Sequence, residues 1–255
     1  AGEFVKRLET ISKLAGPYPS FKGYGVDVRG IAYLATEFVR GRSLLEQGST
    51  PKNLERLFVE MLQVVAPIHT AGLVLGDISF DSFALDERGR VTLWALLGPF
   101  ESGARQTAML PPGETLQFLS PEQRSMAGVS ASADVFALGV YGYRLFTGRP
   151  LHADKTTPGV GEDITALSPA PLSVRGDLPN WVDAILGRCL ESDPTVRFRD
   201  VNEILQTTFE AIQTGMAPGG GGRWSRRTLI VTNQQKDQVI RPRALSTVQK
   251  RPVEP

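Results

Sequence analysis

The chain has 255 residues, of which 41% are hydrophobic and 22% are charged, as in an ordinary globular protein. Its formal net charge of +1 favours no nucleic-acid partner. The single cysteine, Cys189, excludes an internal disulfide, and two histidines leave few ligands for a zinc site. No run of 18 apolar residues occurs, so we expect no membrane span within this chain and a cytoplasmic location.

The N-terminal part of the chain predicts a helix followed by a pair of strands. Residues 3–14 place apolar side chains at helical spacing, and Gly16-Pro17 ends that helix. Two strand-like runs follow, at about 21–28 and 31–39, and a short helix is predicted at 43–47.

A long amphipathic helix dominates the next stretch. Its apolar stripe runs from Leu54 to Ile68, over about five turns, and Gly72 closes it as a left-handed cap. Three short strands are predicted after it, at residues 74–75, 83–85 and 90–93.

The second half of the chain is predicted to be mainly helical. Residues 97–119 have the composition of an extended surface loop, and 150–176 is also rich in loop-forming residues. Residues 133–147 are apolar nearly all round, which predicts a helix in the middle of a domain. Two further helices are predicted, at about 179–191 and 200–213.

The composition changes abruptly at the glycine-rich run 217–222, and basic and polar residues dominate beyond it. One interpretation of this tail is a flexible linker to another domain. The other is a partner-docking segment in which a strand pairs with a sheet edge. The residues that would carry this docking are Trp224, Leu229, Ile230 and Val231.

Four short motifs, in order along the chain, carry a family resemblance. They are Tyr33–Leu44, Ser120-Pro121-Glu122, Asp134–Val140 and Asp193–Phe198. At these spacings they resemble the hinge, the end of the activation segment, the central helix and the late Asp-Pro-x-x-Arg-Phe segment of protein kinases. The likeness is greatest to bacterial serine/threonine kinases of the eukaryotic type.

The resemblance implies an α+β, protein-kinase-like fold, with a mainly helical large lobe and only part of a small lobe. We therefore expect three regions. Residues 1–39 would form the partial small lobe, 40–213 the large lobe, and 214–255 a glycine-rich linker with a basic tail.

The catalytic positions implied by the resemblance are mostly changed. In the segment Leu73–Ser82 only Asp77 matches, at the position of the catalytic base. Leu75 and Gly76 stand where the family has His and Arg, and Ser82 stands at the Mg²⁺-binding Asn.

The second metal-binding motif of the family is changed as well. At the Asp-Phe-Gly position the chain has Ala95-Leu96-Leu97, or Leu96-Leu97-Gly98 in a register shifted by one residue. Neither register contains a carboxylate, and Mg²⁺ requires oxygen ligands. We expect no metal site and no cofactor, with Asp77 as the one retained candidate for a catalytic role.

Positions that support the fold in this family are retained. The resemblance implies that Asp134 binds backbone amides of the 75–77 turn, and that Glu122 and Arg197 form an ion pair. Leu75 and Leu96 would keep the apolar column between the lobes as packing.

Together these features favour a pseudokinase that is not an enzyme and that scaffolds or regulates another protein in signalling. Two alternatives stay open. One is an atypical serine/threonine protein kinase that uses Asp77. The other is a sensor that binds ATP without phosphoryl transfer, through Thr36, Glu37 and Val39.

Overall fold

The computed structural model contains two small antiparallel sheets and a helical body. The structure describes residues 10, 13–14, 16–28, 32–38, 40–46, 50–94, 113–151 and 169–215. Strands β1 (Phe21–Val26) and β2 (Ala32–Thr36) form one sheet. Strands β3 (Gly41–Ser43), β4 (Phe83–Asp86) and β5 (Val91–Leu93) form the other, in that spatial order.

The strands correct two details of the sequence prediction. Gly41–Ser43 pairs with Ala84–Asp86, and only Leu44–Glu46 makes a 3₁₀ turn, where the sequence predicted a helix at 43–47. The strand predicted at 74–75 is absent from this described stretch of chain. Its amide at Leu75 instead donates to a side chain, Asp134, so no neighbouring strand is needed to satisfy it.

Helix α1 (Pro51–Thr70) is the long amphipathic helix that the sequence predicted. Thr50 caps it, since its hydroxyl accepts from the Asn53 amide, and Pro51 occupies the first turn, where no intrahelical donor is needed. Its buried stripe consists of Leu54, Leu57, Phe58, Met61, Leu62, Val64, Val65 and Ile68.

Helix α3 (Ala131–Thr147) lies at the centre of the helical body, as its apolar surface predicted. Thirteen of its residues, from Ala133 to Phe146, are buried, and Gly148 ends it in the left-handed conformation at φ 69°. Before it comes the short helix α2 (Pro121–Arg124), and after it lie α4 (Pro171–Val174), α5 (Trp181–Cys189) and α6 (Val201–Thr214).

An aromatic cluster joins three of these helices. The ring of Phe58 in α1 lies 5.3 Å from that of Phe146 in α3 and 6.2 Å from that of Trp181 in α5, measured between centroids. Phe146 and Trp181 meet edge to face at 5.8 Å. Such contacts add to the burial energy of these large side chains, so the cluster orients α1, α3 and α5 relative to one another.

A buried ion pair ties α2 to the segment before α6. The Arg197 side chain is fully buried, and its two Nη atoms donate to the Glu122 carboxylate at 2.6 and 2.8 Å. The remaining donors of Arg197 reach the carbonyls of Glu191, Ser132 and Ser192. A guanidinium so fully hydrogen-bonded can stay charged in the interior.

Several sequence predictions fall outside the described residues. These are most of the helix at 3–14, the site residues Val39 and Leu96, and the tail residues Trp224, Leu229, Ile230 and Val231. Within the part of the chain that is described, no helix combines the length and apolar character needed to cross a membrane.

The close approach of α3 and α5 gives a first prediction. A Cβ added at Gly139 would lie 2.7 Å from the Cβ of Cys189, which its own backbone holds in place. Gly139→Ala should therefore force the helices apart. Overpacking of this kind costs about 1–3 kcal/mol, against a gain of about 1 kcal/mol in helix propensity. We expect a lower urea midpoint by circular dichroism.

The matched control for this substitution is Gly176→Ala. The nearest atom to an added Cβ there is the Leu172 carbonyl oxygen at 3.9 Å, an ordinary contact. We expect the free energy of unfolding to change by less than about 0.5 kcal/mol. Equal stability of both variants would contradict the tight packing of α3 on α5.

The ion pair gives a second prediction. Glu122→Gln keeps the size of the side chain and removes the charge that faces Arg197. We expect the free energy of unfolding to fall by about 3–5 kcal/mol, because a buried guanidinium loses its counter-charge. The control is Asp177→Asn, in the exposed pair with Arg175, where water already solvates both charges and the loss should be much smaller. Similar losses in both variants, measured by chemical denaturation, would contradict a special role of the buried pair.

Candidate functional site

The loop of residues 73–82, called the 73–82 loop below, leaves α1 through Gly72, which has a positive φ of 71°. Asp134, in the first turn of α3, fixes this loop through its side chain. Its two carboxylate oxygens accept from the backbone amides of Leu75 and Gly76, each at 2.7 Å. The carboxylate is 1% exposed, so these bonds form away from water and strongly restrict the turn.

A histidine completes the arrangement around Asp134. The Val201 amide at the start of α6 donates to Nδ1 of His69 at 3.2 Å, which leaves the ring proton on Nε2. Nε2 lies 2.9 Å from an Asp134 oxygen and donates to it. The imidazole therefore links the end of α1 to the starts of α3 and α6.

Gly76 is held from its other side as well. Its carbonyl accepts from the side-chain amide of Gln123, in α2, at 2.8 Å. The backbone of Gly76 has a φ of 75°, a conformation that residues with a side chain rarely adopt, so glycine suits this position. The turn of the 73–82 loop is thus fixed between α2 and α3 without an arginine at residue 76.

Sequence reasoning missed Gln123 as a member of this site. A signal was present, because Ser120 and Gln123 have the spacing of a helix capping box. In the structure the Ser120 amide donates to the Gln123 Oε1, and the Ser120 hydroxyl caps the Gln123 amide. The capping contact orients the Gln123 side chain so that its nitrogen reaches Gly76.

Ser82, one of the changed positions, makes its contacts within the loop itself. The Ser82 side chain is 1% exposed, and its hydroxyl oxygen accepts from the Ser79 amide at 2.8 Å. The Ser82 carbonyl accepts from the Trp94 amide at 2.8 Å, which joins the loop to the end of β5. Ser82 therefore closes the turn and is committed to that contact.

Asp77, the candidate base, is an exposed residue of the 73–82 loop. Among the described residues, no hydrogen-bond partner of its carboxylate is found. Protein atoms packed around the group exclude part of its water, and this burial raises the pKa of Asp77 above its ordinary value. A carboxyl with a raised pKa is a better proton acceptor than a fully solvated one.

The residues present do not fit the magnesium ions that the resemblance implies. The Ser82 hydroxyl is engaged with Ser79, and residues 95–97, Ala-Leu-Leu, have no oxygen in their side chains. Among the described residues, no three His, Cys, Asp or Glu side chains come together. We therefore derive no chemical step through a metal ion.

The residues predicted to face a nucleotide lie at the end of the first sheet. Thr36 ends β2, and both Thr36 and Glu37 are exposed. The Glu37 amide donates to the Ser20 carbonyl at 2.8 Å, and the Ser20 hydroxyl donates to the Glu37 carboxylate. Phe38 is 83% exposed. The structure thus shows Thr36 and Glu37 at the surface, as the start of a connection toward β3.

Comparison with known proteins identifies the relatives of this chain. It is 30% identical over 206 residues to the serine/threonine-protein kinase PksC of Streptomyces coelicolor, covering 73% of this chain and 37% of PksC. It is 28% identical to PknA of Corynebacterium glutamicum, named a serine/threonine-protein kinase, over 73% of this chain and 40% of PknA. The probable serine/threonine-protein kinase PkwA of Thermomonospora curvata is 31% identical over 65% of this chain and 22% of PkwA. No protein-family model matches the chain.

These relatives confirm the family and the fold, and they correct one prediction. The chain spans well under half the length of the curated relatives it matches. Their names, serine/threonine-protein kinases, point to an enzyme, so the prediction that this chain is not an enzyme is wrong. The α+β architecture and the helical body agree with the protein-kinase-like fold that these relatives imply. The chain belongs to the protein kinase superfamily.

Proposed function

We propose that this chain acts in signalling as a kinase-family domain that binds and positions another protein. The binding face is formed by the exposed and partly exposed residues of the 73–82 loop and of 116–126, called the loop face below. The observation that carries this proposal is the double fixation of Gly76, by Asp134 on one side and by Gln123 on the other. A face held in this way is rigid before a partner arrives, which lowers the entropy that binding must offset.

A strained methionine at the edge of the loop face supports the proposal. Met126 follows α2, is 56% exposed, and has a φ of 57°, in the left-handed region that L residues other than glycine rarely adopt. This conformation costs about 1–2 kcal/mol. Strained residues concentrate at functional sites, and an exposed methionine is an adaptable apolar contact for a protein partner.

Site-specific crosslinking tests the loop face. A photoreactive phenylalanine derivative is placed at Met126 in the full-length gene product and activated in the organism that makes it. We expect a discrete adduct with one protein. The control places the same residue at Lys52, which is exposed at the start of α1, on another element. No adduct at Met126, or the same adducts at both positions, would contradict a partner on the loop face.

Phosphoryl transfer at Asp77 is a second candidate function. It is favoured by the names of the relatives and by the position of Asp77, whose raised pKa suits a group that accepts a hydroxyl proton. Asp77 would act as the base toward a serine or threonine hydroxyl. The turn held by Asp134 would set its position.

Asp77→Asn tests this second function. With the full-length gene product, labelled ATP and Mg²⁺, we expect transfer to a protein hydroxyl to be lost in the variant, because an amide cannot accept the proton. The control is Asp177→Asn, which removes an exposed carboxylate in the connection between α4 and α5 and should keep the activity. Transfer that survives Asp77→Asn would rule out Asp77 as the base.

Asp77→Asn should also change the thermal stability of the protein. Because the folded protein raises the pKa of Asp77, ionisation there disfavours the folded state at pH values above that pKa. Asp77→Asn should therefore raise the melting temperature at neutral pH. The difference should vanish as the pH falls well below the ordinary aspartate value of 3.8. A variant less stable than the wild type at neutral pH would contradict the raised pKa.

A further inference from the structure

Helix α6 presents an apolar stripe at the surface beside its buried face. The buried face consists of Val201, Ile204, Thr208 and Ala211. Leu205 and Ile212 are only partly buried, and Phe209 is 39% exposed. These three residues are spaced i, i+4 and i+7, so they lie along one side of the helix. The stripe runs from near the C-terminal end of α6 toward α1.

The stripe leads into an apolar groove between α1 and α6. The groove is widely open to solvent, and its volume of about 510 Å³ falls within the range of clefts that bind ligands. Its walls are made by Leu14, Ala66, Pro67 and Leu205, and Gln63, Thr70 and Ala71 complete its lining. An apolar concavity of this size can accept one bulky aromatic side chain.

The chain that follows α6 has the right length to place one of its residues in this groove. Gly215 ends α6, and Trp224 comes nine residues later, after the glycine run 219–222. The path back along α6 from its end to Leu205 is ten residues, or about 15 Å. A glycine-rich chain of nine residues has a root-mean-square span of about 15–18 Å. The effective concentration of Trp224 at the groove is therefore near its maximum.

Charge favours the same occupant. Helix α6 contains two carboxylates and no lysine or arginine. Glu203 is paired with Arg188 at 2.6 Å, so the carboxylate of Glu210 is the one that remains for a further partner. Its C-terminal end also carries the negative end of the helix dipole. Trp224 is flanked by Arg223, Arg226 and Arg227. Within the described residues Glu210 accepts a hydrogen bond from Gln206 and forms no ion pair, so it can receive one of these arginines.

We propose that Trp224 docks in the groove between α1 and α6, with one of its flanking arginines against the Glu210 carboxylate. The occupant is this chain's own tail, bound within the same molecule. Docking fixes the point at which the chain beyond residue 227 leaves the large lobe. This contact uses residues other than those of the loop face and does not depend on the function proposed for it.

Tryptophan fluorescence of the whole chain tests the proposal. The other two tryptophans are Trp94 and Trp181, so the Trp224 signal is the difference between the wild type and Trp224→Ala. We expect this signal to be blue-shifted and several-fold less quenched by acrylamide than that of a synthetic peptide of residues 217–235. The protection should not change when the protein is diluted.

Two groove variants and one control complete the experiment. Leu205→Asp places a charge in the groove wall, and Thr70→Arg blocks it from an exposed position that leaves the core untouched. Both should raise the quenching of Trp224 to that of the peptide, while Met126→Asp, an exposed apolar residue elsewhere, should not. Circular dichroism checks that each variant is folded.

Three results would overturn the docking of Trp224. The first is a wild-type Trp224 as easily quenched as the peptide. The second is protection that survives Thr70→Arg in a folded protein. The third is protection that disappears on dilution, which would identify a second copy of the chain as the occupant.

Discussion

The Asp134 carboxylate is the point at which three helices and the 73–82 loop meet. It is buried, and its two oxygens accept hydrogen bonds from the backbone amides of Leu75 and Gly76 and from the His69 ring. Removing it would leave several donors without partners in the interior, at about 1–3 kcal/mol for each. The loop conformation, the end of α1 and the start of α6 all depend on this one group.

The Glu122–Arg197 pair has a similar role for α2, because it fixes this helix in place. The short helix carries Gln123, and Gln123 in turn holds Gly76. The loop face is therefore supported by two carboxylates, the buried Asp134 and the partly buried Glu122, through separate contacts.

The positions that depart from the kinase pattern are filled by residues that suit their surroundings. Leu75 is buried within the core, Gly76 adopts a positive φ, and Ser82 closes the loop with its hydroxyl. Each of these changes satisfies a local demand of packing, backbone conformation or hydrogen bonding. The relatives nonetheless carry the names of kinases.

Local patterns in the sequence predicted the helices α1, α3 and α6 to within about three residues, because apolar periodicity and caps act over a few positions. The resemblance also pointed to Asp134 and to Glu122 with Arg197 as partners. The strand at 74–75 was wrong, because its amide is taken by a side chain 59 residues away. The pairing of β3 with β4 was missed for the same kind of reason, since a three-residue strand carries almost no pattern of its own.

The sequence by itself determined the family, the helical body and the retention of Asp77, because these depend on short motifs and on which residue types occupy them. Tertiary structure alone decided that His69 links Asp134 to Val201, 132 positions away along the chain. It also decided that Gln123 reaches Gly76, and that an apolar groove opens between α1 and α6. These features follow from how separate helices pack, and no local pattern encodes the distance between residues that only packing brings together.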